Sequence, residues 1–188
     1  MSTQNNGEKH SVYRARYNRI REMCVFAMLA AIMFCSKLVM EALPNIHLLG
    51  MLTMVCTLAF RVKGLIPIYL YVFLNGLFAG FSVWWVPYLY VWTVLWGMTM
   101  LLPRRMPRGV KCVVYPAVCA CHGLFFGTLY APAQALLFGF DLETTLAWIA
   151  AGFPFDVIHG IGNFCVGFLI LPLSELLLKL LRQGNRAS

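Results

Sequence analysis

The sequence predicts an all-α membrane protein in which six transmembrane helices form one bundle, with both termini in the cytoplasm. Of its 188 residues, 61% are hydrophobic and only 12% are charged. A soluble domain has about 25% charged residues. The mean hydropathy is +0.74. So few charges cannot cover the surface of a water-soluble domain, and so much apolar surface excludes a disordered chain.

Six apolar stretches are candidates for the spans, because about 20 residues cross about 30 Å of hydrocarbon. The second is only about 22 Å long at 1.5 Å per residue, so we do not expect it to cross the bilayer alone. The sixth exceeds one crossing, and Pro154 and Pro172 are expected to bend or end it. The expected spans are residues 22–40, 46–60, 64–80, 85–102, 110–131 and 145–178. They define a basic tail (1–21), a membrane domain (22–181) and a second tail (182–188).

The positive charges predict the orientation. The chain has 15 Lys and Arg against 7 Asp and Glu, a net charge of +8. With six spans, every Lys and Arg except Lys37 falls in the two tails or in the second-to-third and fourth-to-fifth connections. Cytoplasmic segments collect Lys and Arg. We therefore expect both termini in the cytoplasm, and a bacterial plasma membrane as the location.

The cysteines and histidines give no sign of a metal site. The seven cysteines form no Cys-x-x-Cys pair and are interpreted as apolar packing residues. His10, His47, His122 and His159 are scattered along the chain. Phosphate-loop, His-Glu-x-x-His and Gly-x-Ser-x-Gly motifs are absent from the sequence. We therefore predict no cofactor, no metal and no catalytic residue.

Three polar residues of the sixth span form the first candidate site. Asp156, His159 and Asn163 fall within about 60° of one another on a helix with 100° per residue. An ionisable group in hydrocarbon costs about 2.5–3.5 kcal/mol, so it faces the bundle interior or a cavity. These residues either form one wall of a ligand site or hydrogen-bond neighbouring helices together.

Aromatic residues add a second set of candidates. Trp85, Tyr88 and Trp92 form a stripe on the fourth span that could stack a flat heteroaromatic ligand, and Trp96 continues it into the core. Other candidates lie at the outer ends of other spans. They are Tyr130 and Gln134 on the fifth span and Asn45 in the first outer connection, while His122 is interpreted as a core residue.

Small residues and one charge pair complete the set. Ala27 and Ala31 leave a flat face on the first helix, which Ala30 widens, and such faces favour docking onto another membrane protein. Lys37 and Glu41 are four residues apart and are expected to pair.

The chain resembles the substrate-binding S components of energy-coupling factor (ECF) transporters. The resemblance covers residues 20–180 and depends on size, on six-span topology and on three short stretches. The stretches are Ala27-Met-Leu-Ala-Ala31, Leu43-Pro-Asn-Ile-His47 and Pro154-Phe-Asp-Val-Ile-His159.

The resemblance implies an importer subunit with no chemical step of its own. It would capture a vitamin or vitamin-like heteroaromatic solute from outside, in a site in the outer half of the bundle. Ala27 and Ala31 would dock onto a transmembrane coupling subunit, and two cytoplasmic ATPases would power release. The resemblance also implies a set of candidate pocket residues by position: Trp85, Tyr88, Tyr130, Gln134, Asp156, His159 and Asn163.

Two other functions remain open at this stage. The protein could be an intramembrane enzyme in which Asp156 and His159 act as an acid–base pair. It could also be a structural membrane subunit without a ligand, whose polar residues serve packing only.

Overall fold

The computed structural model describes residues 2–42 and 46–186, with side chains described for residues 16–42 and 46–184. Within these ranges the protein contains helices and turns and no strand. Short 3-10 turns occur at Met40–Ala42, Arg61–Gly64 and Val83–Trp85. The helices are α1 (Ser2–Val39), α2 (Leu49–Phe60), α3 (Leu65–Ala79), α4 (Tyr88–Leu101), α5 (Arg108–Leu124), α6 (Phe126–Phe138), α7 (Leu142–Gly167) and α8 (Ile170–Arg186).

Four helical stretches in the described part are long and apolar enough to cross a membrane. They are Arg16–Ala42, Leu49–Ala79, Arg108–Phe138 and Leu142–Gly167. Large apolar side chains remain exposed along these stretches, among them Met28, Ile66 and Phe155. An all-helical chain with such surfaces is compatible with an integral membrane protein.

The number of stretches differs from the six expected because the middle of the bundle is made of short helices. At Arg61 the backbone adopts φ 57°, and the chain folds back so that Gly64 packs against the backbone of Cys56. The stretch Leu49–Ala79 therefore consists of two helices, α2 and α3, joined by a tight reversal. α4 has only 14 residues. Six crossings thus remain a prediction.

The outer helices match the predicted fifth and sixth spans with shifted ends. The fifth is divided at Phe125 into α5 and α6. α7 continues through Pro154, so the predicted end of a helix does not occur there. Pro172 lies in the first turn of α8, where a proline N–H is not needed. Both tails are helical, because α1 begins at Ser2 and α8 ends at Arg186.

Close helix contacts organise the bundle. α5 and α7 are the most extensively paired helices. A Cβ atom at Gly123 would lie 2.7 Å from Asn163 Nδ2 and 3.0 Å from the carbonyl oxygen of His159. Glycine is therefore required where these two helices cross. Of the cysteines predicted to pack, only Cys56 and Cys119 are buried, while Cys24, Cys35, Cys112 and Cys165 are exposed.

Candidate functional site

Three histidines from distant parts of the sequence meet inside the bundle. His47 precedes α2, His122 is on α5 and His159 is on α7. The rings of His47 and His159 are 4.4 Å apart, measured between centroids. Phe126 lies 4.8 Å from His159 and 6.0 Å from His122. We call His47, Trp92, His122, Phe126 and His159 the ring cluster.

Trp92 is the centre of the ring cluster and is 2% exposed. Its ring lies 5.8 Å from His122, 6.0 Å from Phe126 and 6.3 Å from His47. Tyr88, one turn earlier on α4, packs edge-on at 5.9 Å. The sequence places aromatic residues at intervals of three and four along α4, and this spacing directs Tyr88 and Trp92 into the same interior.

Within the described part of the chain, several polar atoms in and around the ring cluster are buried without a hydrogen-bond partner. Leaving such an atom unpaired costs about 1–3 kcal/mol. Few native groups carry this cost, and each one calls for an explanation such as a functional role. The atoms are His47 Nδ1, Trp92 Nε1, His122 Nδ1, His159 Nε2, Asn163 Oδ1, Tyr71 Oη and Asn75 Nδ2.

One histidine shows which kind of hydrogen bond the cluster offers. His122 Nε2 lies 3.0 Å from the carbonyl oxygen of Val91. A carbonyl oxygen only accepts, so Nε2 carries the proton. In the neutral ring Nδ1 is then an acceptor, while Trp92 Nε1 is a donor. The cluster therefore offers both a donor and an acceptor to a molecule between the rings.

Asp156 has a partner outside the ring cluster. Its carboxylate oxygens accept two hydrogen bonds from the backbone N–H of Gly127, at 2.9 and 3.1 Å. This N–H lies in the first turn of α6, so the carboxylate caps a helix that belongs to another segment. A Cβ atom at Gly127 would lie 2.5 Å from Asp156 Oδ2, so glycine is required there.

The three polar residues of α7 are all buried, but they have different surroundings. His159 belongs to the ring cluster. Asn163 lies deeper, where its Nδ2 donates to the carbonyl oxygen of Cys119 at 3.3 Å. Asp156 caps α6 and shows no hydrogen bond to His159 among the described contacts. Because its carboxylate is already engaged, the arrangement gives little support to an acid–base pair.

The predicted aromatic residues other than Tyr88 and Trp92 lie between the ring cluster and the end of the bundle near Lys37. Trp85 Nε1 donates to the carbonyl oxygen of Val72 at 2.8 Å. The hydroxyl of Tyr130 donates to the carbonyl oxygen of Trp84, and the Tyr130 ring stacks on Trp148 at 6.3 Å. Gln134 is partly buried one turn further along α6. These residues surround the cluster without entering it.

Lys37 has different partners from those expected. Its Nζ donates to Asn75 Oδ1 at 2.9 Å and lies 6.0 Å from the centroid of the Trp84 ring. Glu41 is exposed and is not its partner, so the predicted helix pair is wrong. The reason is that Asn75, fully buried on α3, offers an oxygen closer to the bundle interior.

Ala30 is fully buried in the core, so it does not belong to the exposed face that carries Ala27 and Ala31. This corrects the predicted docking patch, because a buried Cβ cannot widen a surface. Asn45 lies outside the described residues, and its predicted contact with the ligand stays a prediction.

Sequence reasoning missed the convergence of the histidines, and it missed Tyr71 and Asn75. Both lie on α3, where a tyrosine and an asparagine in an apolar helix are the available signal. His122 was interpreted as a core residue and His47 as an isolated one. Within the described part of the chain, no group of three or more His, Cys, Asp or Glu side chains has an arrangement that could hold a metal ion.

Comparisons with family models, with curated proteins and with solved structures find no match to this chain.

Proposed function

We propose that this protein is the substrate-binding membrane subunit of an ECF-type importer and that it binds a flat, heteroaromatic, vitamin-like solute. The observation that carries the proposal is the ring cluster with its unpartnered polar atoms. Rings would stack the solute, and His122 Nδ1 and Trp92 Nε1 would bond its polar edge. In this proposal the bundle has six crossings, and its basic end faces the cytoplasm.

The packing of the cluster defines how a solute would enter. The rings contact one another directly, with centroids 4.4–6.3 Å apart. A solute must therefore separate them, and His47 is the member that belongs to a connection rather than to a helix. We propose that the His47 side chain moves aside to admit the solute, while the helices stay in place.

The proposed partners follow from the proposed role as an ECF-type subunit. The exposed small residues Ala27 and Ala31 would contact a transmembrane coupling subunit, and two ATPases on the cytoplasmic side would drive delivery. No step of ATP hydrolysis is assigned to this chain.

Thermal unfolding of the purified protein against a panel of vitamins tests the proposal. A ligand present at a thousand times its Kd adds about 4 kcal/mol to the free energy of unfolding. We expect one member of the panel to raise the melting temperature and to co-purify with the protein. The absence of stabilisation by every member would contradict the vitamin-binding role.

Matched tryptophan variants connect binding to the ring cluster. Trp92→Phe removes the unpartnered Nε1, and we expect at least a tenfold weaker Kd for the stabilising solute. Trp96→Phe is the control, because Trp96 Nε1 donates to the carbonyl oxygen of Arg61 at 3.1 Å, away from the cluster. Equal losses in the two variants would show that the cluster is not the site.

A further inference from the structure

A cavity lies at the opposite end of the bundle from Lys37. Its volume is about 570 Å³, and four cationic side chains line it against one carboxylate. We call it the basic cavity. The cations are Arg61, Arg104, Lys111 and Arg182, and the carboxylate is Glu175.

The side chains that line the basic cavity carry more positive than negative charge. Glu175 is already paired, since Arg108 Nη2 lies 3.1 Å from its Oε2. The four cations therefore lack a matching carboxylate within the cavity. Like charges that line one cavity repel each other and attract an anion.

Arg61 is held in place from both sides. Its backbone carbonyl accepts from Trp96 Nε1 at 3.1 Å, and its Nη2 donates to the carbonyl oxygen of Met100 at 3.2 Å. Its φ of 57° is unusual for a residue other than glycine. Its Nε is buried and has no partner. Among the described residues, Nε is thus a buried donor without an acceptor, while Nη2 is already bonded.

An apolar groove adjoins the basic cavity. It has a volume of about 190 Å³ and shares Lys111, Tyr115 and Leu171 with the cavity. From there it runs past Pro116 and Gly167, where α5 and α7 touch closely. Its remaining lining is mainly apolar and includes Phe168 and Pro172, with Arg108 as the one further charged residue.

We propose that the basic cavity binds the phosphodiester headgroup of an anionic phospholipid and that the adjoining groove receives part of its acyl chain. Basic pockets between helices at one membrane face bind such headgroups. A free phosphate or an acidic peptide would pair with the cations, but neither has an acyl chain that could fill the groove. The inference rests on the proposed membrane location and is independent of solute transport.

Lipid titration of the purified full-length protein tests the proposal. The probes are phosphatidylglycerol, phosphatidylcholine with the same acyl chains, glycerol 3-phosphate and a poly-glutamate peptide. The readouts are thermal unfolding in detergent and retention of lipid in native mass spectrometry. We expect stabilisation and retention with phosphatidylglycerol alone. Equal stabilisation by glycerol 3-phosphate, by the peptide or by phosphatidylcholine would overturn the lipid assignment.

Charge-matched variants locate the lipid. We expect Arg104→Gln/Lys111→Gln to weaken phosphatidylglycerol binding at least tenfold. Arg16→Gln/Arg105→Gln removes the same charge from exposed positions outside the cavity lining, and its affinity should stay within twofold of the parent. Equal losses would show non-specific attraction and refute the site. If the first variant fails to fold, Arg182→Gln, on the exposed side of α8, is compared with Arg16→Gln, so that each removes one charge.

Discussion

The ring cluster and the basic cavity are two polar regions of one apolar bundle, and they differ in the charge and the exposure of most of their polar groups. In the ring cluster, neutral rings are buried and several of their nitrogen atoms have no hydrogen-bond partner among the described residues. In the basic cavity, most polar groups are charged, and several of them lie at the protein surface. Arg108 and Glu175 pair there with 75% and 49% of their side chains exposed.

This difference in exposure shows which region costs the fold more free energy. Exposed cations keep most of their hydration, so gathering them at one end costs little. Buried donors and acceptors without partners cost about 1–3 kcal/mol each. Natural proteins depart from their most stable arrangement mainly at functional sites. The ring cluster is therefore the stronger candidate for a binding site, and four predictions test the contrast between the two regions.

The largest expected effect comes from the helix crossing beneath the ring cluster. Gly123→Leu inserts a side chain against Asn163 and the backbone of His159, so we expect a loss of about 3 kcal/mol or failure to fold. Gly97→Leu is the control, because a Cβ atom at Gly97 meets nothing within 4 Å. Both are measured by unfolding in detergent. Equal stability of the two variants would mean that α5 and α7 do not cross as described.

A smaller effect is expected at the buried cap of α6. Asp156→Ala leaves the N–H of Gly127 without its carboxylate partner and should cost about 2 kcal/mol. Asp141 provides a matched exposed cap, since its Oδ1 accepts from the N–H of Thr144 at 2.8 Å. Asp141→Ala should cost less, because water can replace the lost carboxylate at this exposed cap. If Asp141→Ala lowers the free energy of unfolding more than Asp156→Ala does, the buried carboxylate does not stabilise α6.

The pH dependence of stability distinguishes the two regions next. Burial lowers the pKa of His47, in the connection before α2, and the nearby charge of Lys37 lowers it further. Below pH 6.5 the unfolded chain binds a proton that the folded protein excludes, so stability falls as the pH falls. We expect His47 to contribute about 1 to 2 kcal/mol to the loss of stability between pH 8 and pH 5. His47→Gln should reduce this slope, and an unchanged slope would place His47 in water.

The smallest effect is expected at the charged end. Lys63 Nζ lies 2.7 Å from Glu22 Oε1, but 60% of the lysine side chain is exposed. Such surface pairs contribute less than about 1 kcal/mol. Glu22→Gln should therefore change the free energy of unfolding by under about 0.5 kcal/mol. A loss as large as that of Asp156→Ala would remove the contrast between the two ends.

Helical periodicity correctly predicted which residues share one face of a single helix. It did not predict the contacts between residues of different helices. Asp156, His159 and Asn163 are buried as expected, because about 100° per residue relates positions on a single helix. The meeting of His47, His122 and His159 depends on how three segments pack, which no spacing encodes. The same limit explains Lys37, whose neighbour on its own helix was expected but whose actual partner is on α3.

The span count illustrates a different limit. The predicted break between residues 60 and 64 coincides with the end of α2 and the start of α3. Hydropathy gave no sign of the break at Phe125, which divides the predicted fifth span into α5 and α6. The inner position of Ala30 beside outward Ala27 and Ala31 likewise follows from the neighbours of α1 and not from residue type.

In the proposed importer, Lys37 would place a positive charge on the approach to the ring cluster. It is the one cation of the sequence outside the tails and the two basic connections, and Asn75 holds its Nζ 6.0 Å from the centroid of the Trp84 ring. An acidic solute would be attracted along its approach path, and a solute with an ammonium group would be repelled. Of two otherwise identical molecules, an acid should therefore be captured faster than its amide, and added salt should narrow the difference.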